Sequence, residues 1–241
     1  MNKDLIHSRF AKHLEDYNKH AVIQKKMAEK LVSFCSKKKY GKILEIGCGT
    51  GFLTKIANVQ LEFESYTAID IVEECKAYIF DINPNINFAA ADMENFSLDK
   101  YDLIISNAAL QWSEDFKGII NKLEKSLNIS GEIIFSTFGK ENFREIFYIS
   151  GTGLNYYSET ELKEIFPNSE VYPPEIYIMS FKTPKEVLKH LQKTGVNAVE
   201  ARKWTKKDLI DFENYYSNLC GNFPTITYNP IYVKIKNPTV G

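Results

Sequence analysis

The stretch EIGCGTGF, Glu45 to Phe52, decides how the rest of the chain is read. It begins inside KILEIG, Lys42 to Gly47, a short apolar run of strand type. It ends where residues 52–60 take on a helical pattern. The three glycines, at 47, 49 and 51, make a strand-to-helix turn whose backbone can approach a ligand closely and adopt positive φ angles. N–H groups at the start of the following helix can hold an anion. A dinucleotide turn of the GxGxxG type needs its third glycine at position 52, which is Phe52 here. The spacing is instead GxGxG with Glu45 ahead of it, and that carboxylate would repel a pyrophosphate.

Downstream, strand and helix patterns alternate. SYTAID (Ser65 to Asp70) reads as a second strand and residues 72–82 as a helix closed by the turn signal NPN at 83–85. INFAAAD (Ile86 to Asp92) and YDLIISN (Tyr101 to Asn107) read as the third and fourth strands. A helix over 114–127 precedes a fifth strand, GEIIFSTF, Gly131 to Phe138. Such alternation predicts an α/β fold, a parallel sheet with right-handed crossovers and helices on both faces. Ligands of such sheets bind beyond the carboxyl ends of the strands. Asp70, Asp92 and Asn107 all fall at those ends.

Upstream, Phe10, Leu14, Tyr17, Ala21, Met27, Leu31 and Val32 recur at roughly helical spacing, predicting one or two amphipathic helices bent near Asn18. Beyond Phe138 the pattern changes. Residues 141–149, 158–166, 184–193 and 205–219 read as helices. Residues 171–181 read as one strand with a proline break, and Thr225 to Ile235 as one final strand in which Pro230 suits an edge or a bulge.

Composition narrows the function classes. Of 241 residues, 44% are hydrophobic and 25% charged, as in ordinary soluble proteins. The 30 basic and 31 acidic side chains nearly cancel, so bulk charge points to neither nucleic acid nor membrane. No apolar run reaches the roughly 18 residues of a membrane span, and MNKDLIHSRF lacks the apolar core of a signal peptide, so a cytoplasmic location is expected. Cys35, Cys48, Cys75 and Cys220 form no CxxC pair and the histidines no HExxH, so no metal is expected.

GxGxG preceded by an acid on the first strand, with Asp70 closing the second, resembles the first motifs of class I S-adenosylmethionine (SAM) methyltransferases. The resemblance implies a Rossmann-like fold with a mostly parallel seven-stranded sheet and a helical lid. It implies that Gly47, Cys48, Gly49 and Gly51 wrap the methionine part of the cofactor, and that Asp70, with Glu45 near it, accepts from the ribose hydroxyls. Asp92 would accept from the adenine amino group, with Ile71 and Met93 flanking the ring, or serve as a helix N-cap before MENF, or do both. Asn107 and Ala108 would face the methionyl amino group and the sulfonium.

The wider chain is similar to the malonyl-acyl-carrier-protein O-methyltransferases of biotin synthesis. The segments that carry this are Arg9 to Leu31, SNAALQW (106–112), LQKTGVNAVEARKW (191–204) and FPTITYNPIYVKI (223–235). Val196, Asn197 and Ala201 depart from that family's lid pattern. The resemblance implies residues 1–40 as a helical segment covering the cofactor site, and 41–241 as the methyltransferase domain with a lid at about 184–222. It implies transfer of a methyl group from SAM to the free carboxylate of malonyl on acyl carrier protein, with no general base. Arg202 first and Arg144 second would hold that carboxylate, Tyr17 would close over the methyl group, and Gln111 and Trp112 would shape the acceptor pocket. Lys182, Lys185, Lys189 and Lys193, followed by Arg202, Lys203, Lys206 and Lys207, would form a basic rim that meets the acidic carrier. Two alternatives remain open at this point: a methyltransferase for another small acid or metabolite, and a non-catalytic SAM-binding protein. An adenine-N6 nucleic-acid enzyme is disfavoured, because Asn107-Ala108-Ala109-Leu110 stands where those carry Pro-Pro-aromatic.

Overall fold

A computed structural model describes residues 3–151, 153–194, 205–220 and 223–237. Five parallel strands come first: β1 (Lys39–Ile46), β2 (Glu62–Asp70), β3 (Asn87–Ala90), β4 (Tyr101–Asn107) and β5 (Leu127–Phe138). Their order is β3-β2-β1-β4-β5, and the seven-stranded sheet is completed by β9 (Pro230–Lys236) and β6 (Ser169–Tyr172). β9 runs antiparallel to both neighbours. β1 has β2 on one side and β4 on the other, so the chain reverses its direction of travel across the sheet there. That reversal opens a crevice above the carboxyl ends of β1 and β4.

The strands are buried on both faces, so period-2 alternation separates two cores rather than core from solvent. Ile43 of β1 packs with Tyr66, Met27, Leu31 and Leu53 on the side of helices α2 (Val22–Ser33) and α3 (Phe52–Gln60). Leu44 and Ile46 face the other way, onto Ile119, Ile120 and Leu123 of α5 (Phe116–Glu124) and onto Phe135 and Phe166. The same alternation puts Glu45 on the Ile43 side, beneath α3.

Helix α1 (Lys3–His20) precedes α2, and the two meet at Ala21 rather than near Asn18. α4 (Cys75–Ile82) follows β2, and α6 (Arg144–Ser150) and α7 (Glu159–Ile165) lie between β5 and β6. α8 (Pro184–Lys193) and α9 (Lys206–Cys220) lie between β7 (Tyr177–Ser180) and β8 (Thr225–Tyr228). His190 of α8 shares a 2.6 Å hydrogen bond with the Tyr228 hydroxyl, and burial lowers the imidazole to about 4, so α8 is pinned by a neutral ring.

Two expected strands are each split in two. Pro173 and Pro174 divide residues 171–181, leaving β6 in the main sheet and sending β7 to a separate two-stranded sheet with β8. Residues 225–235 break at Asn229, whose main-chain N–H donates to Asn142 and whose side chain donates to the Glu175 carbonyl. β9 is interior, not an edge. Pro230 is tolerated because it is the first residue of the strand, opposite Phe138.

Below the sheet, at the end away from the crevice, Glu132 accepts from Tyr40 Oη at 2.5 Å and Ser36 N at 2.9 Å, and pairs with Lys234 Nζ at 3.3 Å. Burial pushes this carboxyl up, but those donors and Lys234 outweigh it and hold Glu132 below the usual glutamate range. Lys234→Met strands the carboxylate and should lower unfolding free energy by about 3 kcal/mol at neutral pH, read by urea denaturation. A depressed carboxyl stabilises only while ionised, so the gap to wild type should narrow as pH falls below about 4.

Candidate cofactor and acceptor site

The three glycines of the β1–α3 turn all have positive φ, at 70°, 51° and 81° for Gly47, Gly49 and Gly51, and they do different work. A Cβ on Gly47 would lie 2.2 Å from Ala109 Cβ, so its bare backbone lets the loop after β4 close against the turn. A Cβ on Gly51 would lie 2.4 Å from Ile82 Cδ1, so its bareness lets α4 pack behind the turn. Gly49 has nothing within 4 Å of that position, which leaves the space that a ligand needs.

A cavity opens over this turn. The sheet side is lined by Gly47, Gly49, Thr50, Asp70, Ile71, Val72, Asp92, Met93, Asn107 and Ala108. The opposite wall is α1, through Lys3, Phe10, Leu14 and Tyr17, with Trp112 beside them. Phe10 meets Trp112 edge-on at 5.9 Å, and Tyr17 lies 6.2 Å from Phe52.

Asp70 is fixed by two main-chain donors, Gly49 N to Oδ2 at 2.8 Å and Val72 N to Oδ1 at 2.9 Å. Burial raises this carboxyl above the usual aspartate range, and those N–H groups oppose the rise without cancelling it. Donors such as ribose hydroxyls therefore meet a carboxylate already aimed. Asp92 serves as a local cap, accepting from Glu94 N at 3.0 Å and Asn95 Nδ2 at 2.9 Å, while it also lines the cavity.

Glu45 is set back from the cavity. Its Oε2 accepts from Thr54 Oγ1 at 2.7 Å and Tyr66 Oη at 2.6 Å, while Oε1 is buried without a partner among the described residues. Burial lifts it to about 7 against those two hydroxyl donors. Cys48 is buried, and it and Gly51 also stand outside the lining.

Asn107 ends β4 on an amide for a structural reason as well as a positional one. Its Nδ2 donates to the Gln24 carbonyl at 2.9 Å and its Oδ1 accepts from Ser136 Oγ at 2.7 Å, joining α2 to β5 across the strand end. Ala108 follows at φ 52°, and its N–H donates to Ser136. In the 3-10 turn Leu110–Trp112, Gln111 folds back to donate to the Ala108 carbonyl at 2.7 Å and does not line the cavity, whereas Trp112 does.

One residue expected on the acceptor side is not brought to the cavity. Arg144 is half-exposed and held by Glu141 at 3.0 Å, with Glu145 at 3.8 Å. Arg202 lies outside the described residues. Among lining residues that sequence reasoning passed over, Phe10 and Leu14 shared a helical face with Tyr17 and so carried a signal, whereas Lys3 carried none.

The glycine cradle, the two strand-end carboxylates and the open space over Gly49 fit an adenosyl cofactor with an amino-acid tail. A family model described as "Methyltransferase domain" matches residues 17–169. The bacterial N-methyltransferase NodS from Bradyrhizobium japonicum, in complex with S-adenosylhomocysteine, superposes with a TM-score of 0.56 at 14% identity, over 97% of this chain and 98% of that one. The plantazolicin methyltransferase BpumL gives 0.54 at 16% identity, over 98% and 100%. These likenesses show the fold. Fold and domain family together define the protein as a class I SAM-dependent methyltransferase.

Closer relatives narrow it. The malonyl-[acyl-carrier protein] O-methyltransferase of Chlorobium luteolum is 34% identical over 100% of this chain and 97% of its own length. Its counterpart in Bacteroides thetaiotaomicron is 32% identical over the full length of both. The chain belongs to the malonyl-[acyl-carrier protein] O-methyltransferase family.

The glycine geometry gives a graded expectation. Gly47→Ala combines a left-handed alanine with a clash against the Ala109 methyl and should cost about 3 kcal/mol of stability. Gly49→Ala carries only the conformational penalty of about 1–2 kcal/mol, yet it should weaken binding of S-adenosylhomocysteine, because its methyl enters the cavity. Thermal unfolding and calorimetric titration of the two variants separate these effects.

Proposed function

We propose that this protein transfers a methyl group to the free carboxylate of malonyl carried on acyl carrier protein, the entry step to the pimelate part of biotin synthesis, and works in the cytoplasm. The observation that carries this reading is the end-to-end likeness to relatives bearing that name. Among the described residues, no helix is long and apolar enough to cross a membrane.

Bound SAM supplies a methyl group on a sulfonium, open to in-line displacement. The acceptor needs no base, because a carboxylate is already ionised at neutral pH. The protein's part is placement and exclusion of water. Phe10, Leu14 and Trp112 present apolar surface to the cavity and keep water from the reacting centre. Tyr17 lines the same space, and burial pushes its phenol well above the usual tyrosine value, so it remains a neutral O–H donor. A neutral donor can orient the acceptor carboxylate without removing its nucleophilicity.

Arg202 is the preferred cation for the malonyl carboxylate, through a bidentate guanidinium pair. For Arg144 to take that part it must exchange Glu141 for substrate. The carrier would dock on the exposed lysines of α8, Lys185 and Lys189, and those opening α9, Lys206 and Lys207. Lys182 lies just ahead of α8, Lys203 lies outside the described residues, and Lys193 is already paired with Asp16.

Mass spectrometry of malonyl-carrier incubated with the protein and SAM should show the gain of one methylene, and an acetyl-carrier control, which lacks the free carboxylate, should show none. Arg202→Ala should raise KM for malonyl-carrier while leaving S-adenosylhomocysteine affinity unchanged. Methylation of free small acids alone, with malonyl-carrier inert, would replace this reading by the small-acid alternative.

Charge complementarity speeds encounter more than it tightens a complex. Reversal of Lys185, Lys189, Lys206 and Lys207 to Glu should therefore lower kcat/KM for the carrier-bound acceptor by about tenfold at low salt, an effect screened away as salt rises. Unchanged turnover would remove the docking surface from the proposal.

A further inference from the structure

The first helix covers the cofactor cavity, yet little apolar packing holds it. Of the α1 residues whose side chains are described, only Leu14 is buried, at 8% exposure. α2, in contrast, sets Met27, Ala28 and Leu31 entirely in the core. α1 is therefore a lever joined to the body at Ala21 and about 27 Å long at 1.5 Å per residue. Beyond the ring contacts of Phe10 with Trp112 and of Tyr17 with Phe52, its described ties are polar. Near the junction, Thr50 Oγ1 donates to Asn18 and Lys193 pairs with Asp16. At the far end, in the first turn, Lys3 Nζ donates to Asp92 Oδ2 at 2.7 Å and to the Glu94 carboxylate.

This far-end contact is built rather than incidental. Glu94 is anchored through its other oxygen by Glu114 N at 2.9 Å and Asp115 N at 3.2 Å, which lead into α5. Asp92 is anchored by Glu94 N and Asn95. Lys3 thus meets two carboxylates already fixed by the protein, and all three side chains are sheltered to 29%, 19% and 20% exposure. Burial works against ionisation of both acids, but Lys3 and the main-chain donors hold each below its usual range. Lys3 and Asp92 also line the cavity itself, beside Ile71 and Met93. A carboxylate has about four acceptor sites. Three on Asp92 are taken, by Lys3, Asn95 and Glu94 N, which leaves one on Oδ1 for a ligand amino group.

We propose that Lys3 is a cofactor-positioning residue: by bridging Asp92 and Glu94 it latches α1 over the adenine end of the cavity, orients the Asp92 carboxylate and sets the rate at which the cofactor leaves. This rests on the SAM reading of the cavity. It differs from simple helix docking, because the latch sits where a lever is most effective. Opening at Lys3 swings Phe10, Leu14 and Tyr17 off the ligand while α2 stays packed.

The test is kinetic and uses the full chain. Release of S-adenosylhomocysteine from wild type, Lys3→Met and Lys12→Met is followed by stopped-flow displacement. Lys12 is an exposed α1 lysine and controls for loss of one charge. Lys3→Met should release the ligand about tenfold faster, a change of about 1.4 kcal/mol, and Lys12→Met should match wild type. Glu94→Gln should reproduce much of the effect, and the double variant Lys3→Met/Glu94→Gln should be no worse than Lys3→Met alone. In a second arm without ligand, amide hydrogen exchange over α1 should accelerate in Lys3→Met while α2 keeps its protection. Wild-type release rates together with unchanged α1 exchange overturn the latch, as does an equal effect from Lys12→Met. If wild type itself binds no S-adenosylhomocysteine, the cofactor reading fails, and the exchange arm still decides whether Lys3 holds α1 closed.

Discussion

The site depends on one close approach. Gly47 and Ala109 come from different turns, one after β1 and the other after β4, and there is no room for a side chain on the glycine between them. β1 and β4 are neighbours on either side of the reversal in strand order, so this contact sits where the crevice opens. It brings the glycine turn and the Trp112 turn to one rim.

Polar groups behind the rim hold its shape. Asn107 ties the end of β4 to α2 and β5, and Ser136 serves both Asn107 and the strained Ala108. Glu45 does the same beneath the glycine turn, joining α3 through Thr54 and β2 through Tyr66. Its carboxyl is costly there, which is why burial brings it near 7. A cationic ligand above it would offset part of that cost by favouring the ionised form. These residues shape the cavity from behind, while Asp70, Asp92 and the bare backbone of Gly49 are what a ligand meets directly.

The other wall is of a different kind. The sheet side is fixed by strands buried on both faces, whereas α1 rests on a thin apolar seam and on polar ties that include those of Lys3, Asp16 and Asn18. A site whose floor is rigid and whose roof is lightly held can keep its recognition geometry and still exchange a large cofactor. Low local stability is found where elements must move. The clasp between Asp16 and Lys193 also connects this roof to α8.

The order of strands and helices through Phe138 was legible in the sequence, because hydrophobic period and glycine punctuation are local properties. Phe52 in place of a glycine excluded a dinucleotide turn by spacing alone. Asp70, Asp92 and Asn107 could be placed at strand ends for the same reason. The sequence could not show what those side chains would touch. Asn107 bonds Gln24 and Ser136, Glu45 turns under α3, and Arg144 pairs with Glu141 away from the cavity, because each outcome depends on groups brought together from distant parts of the chain. The splits at Pro173 and Asn229 were tertiary decisions too, made when β7 and β8 found each other and left the main sheet. Lys3 is the clearest case. As sequence it is one lysine among many, and only folding sets it across from Asp92 and Glu94, since an ion pair between residues so far apart in the chain leaves no periodic trace in either segment.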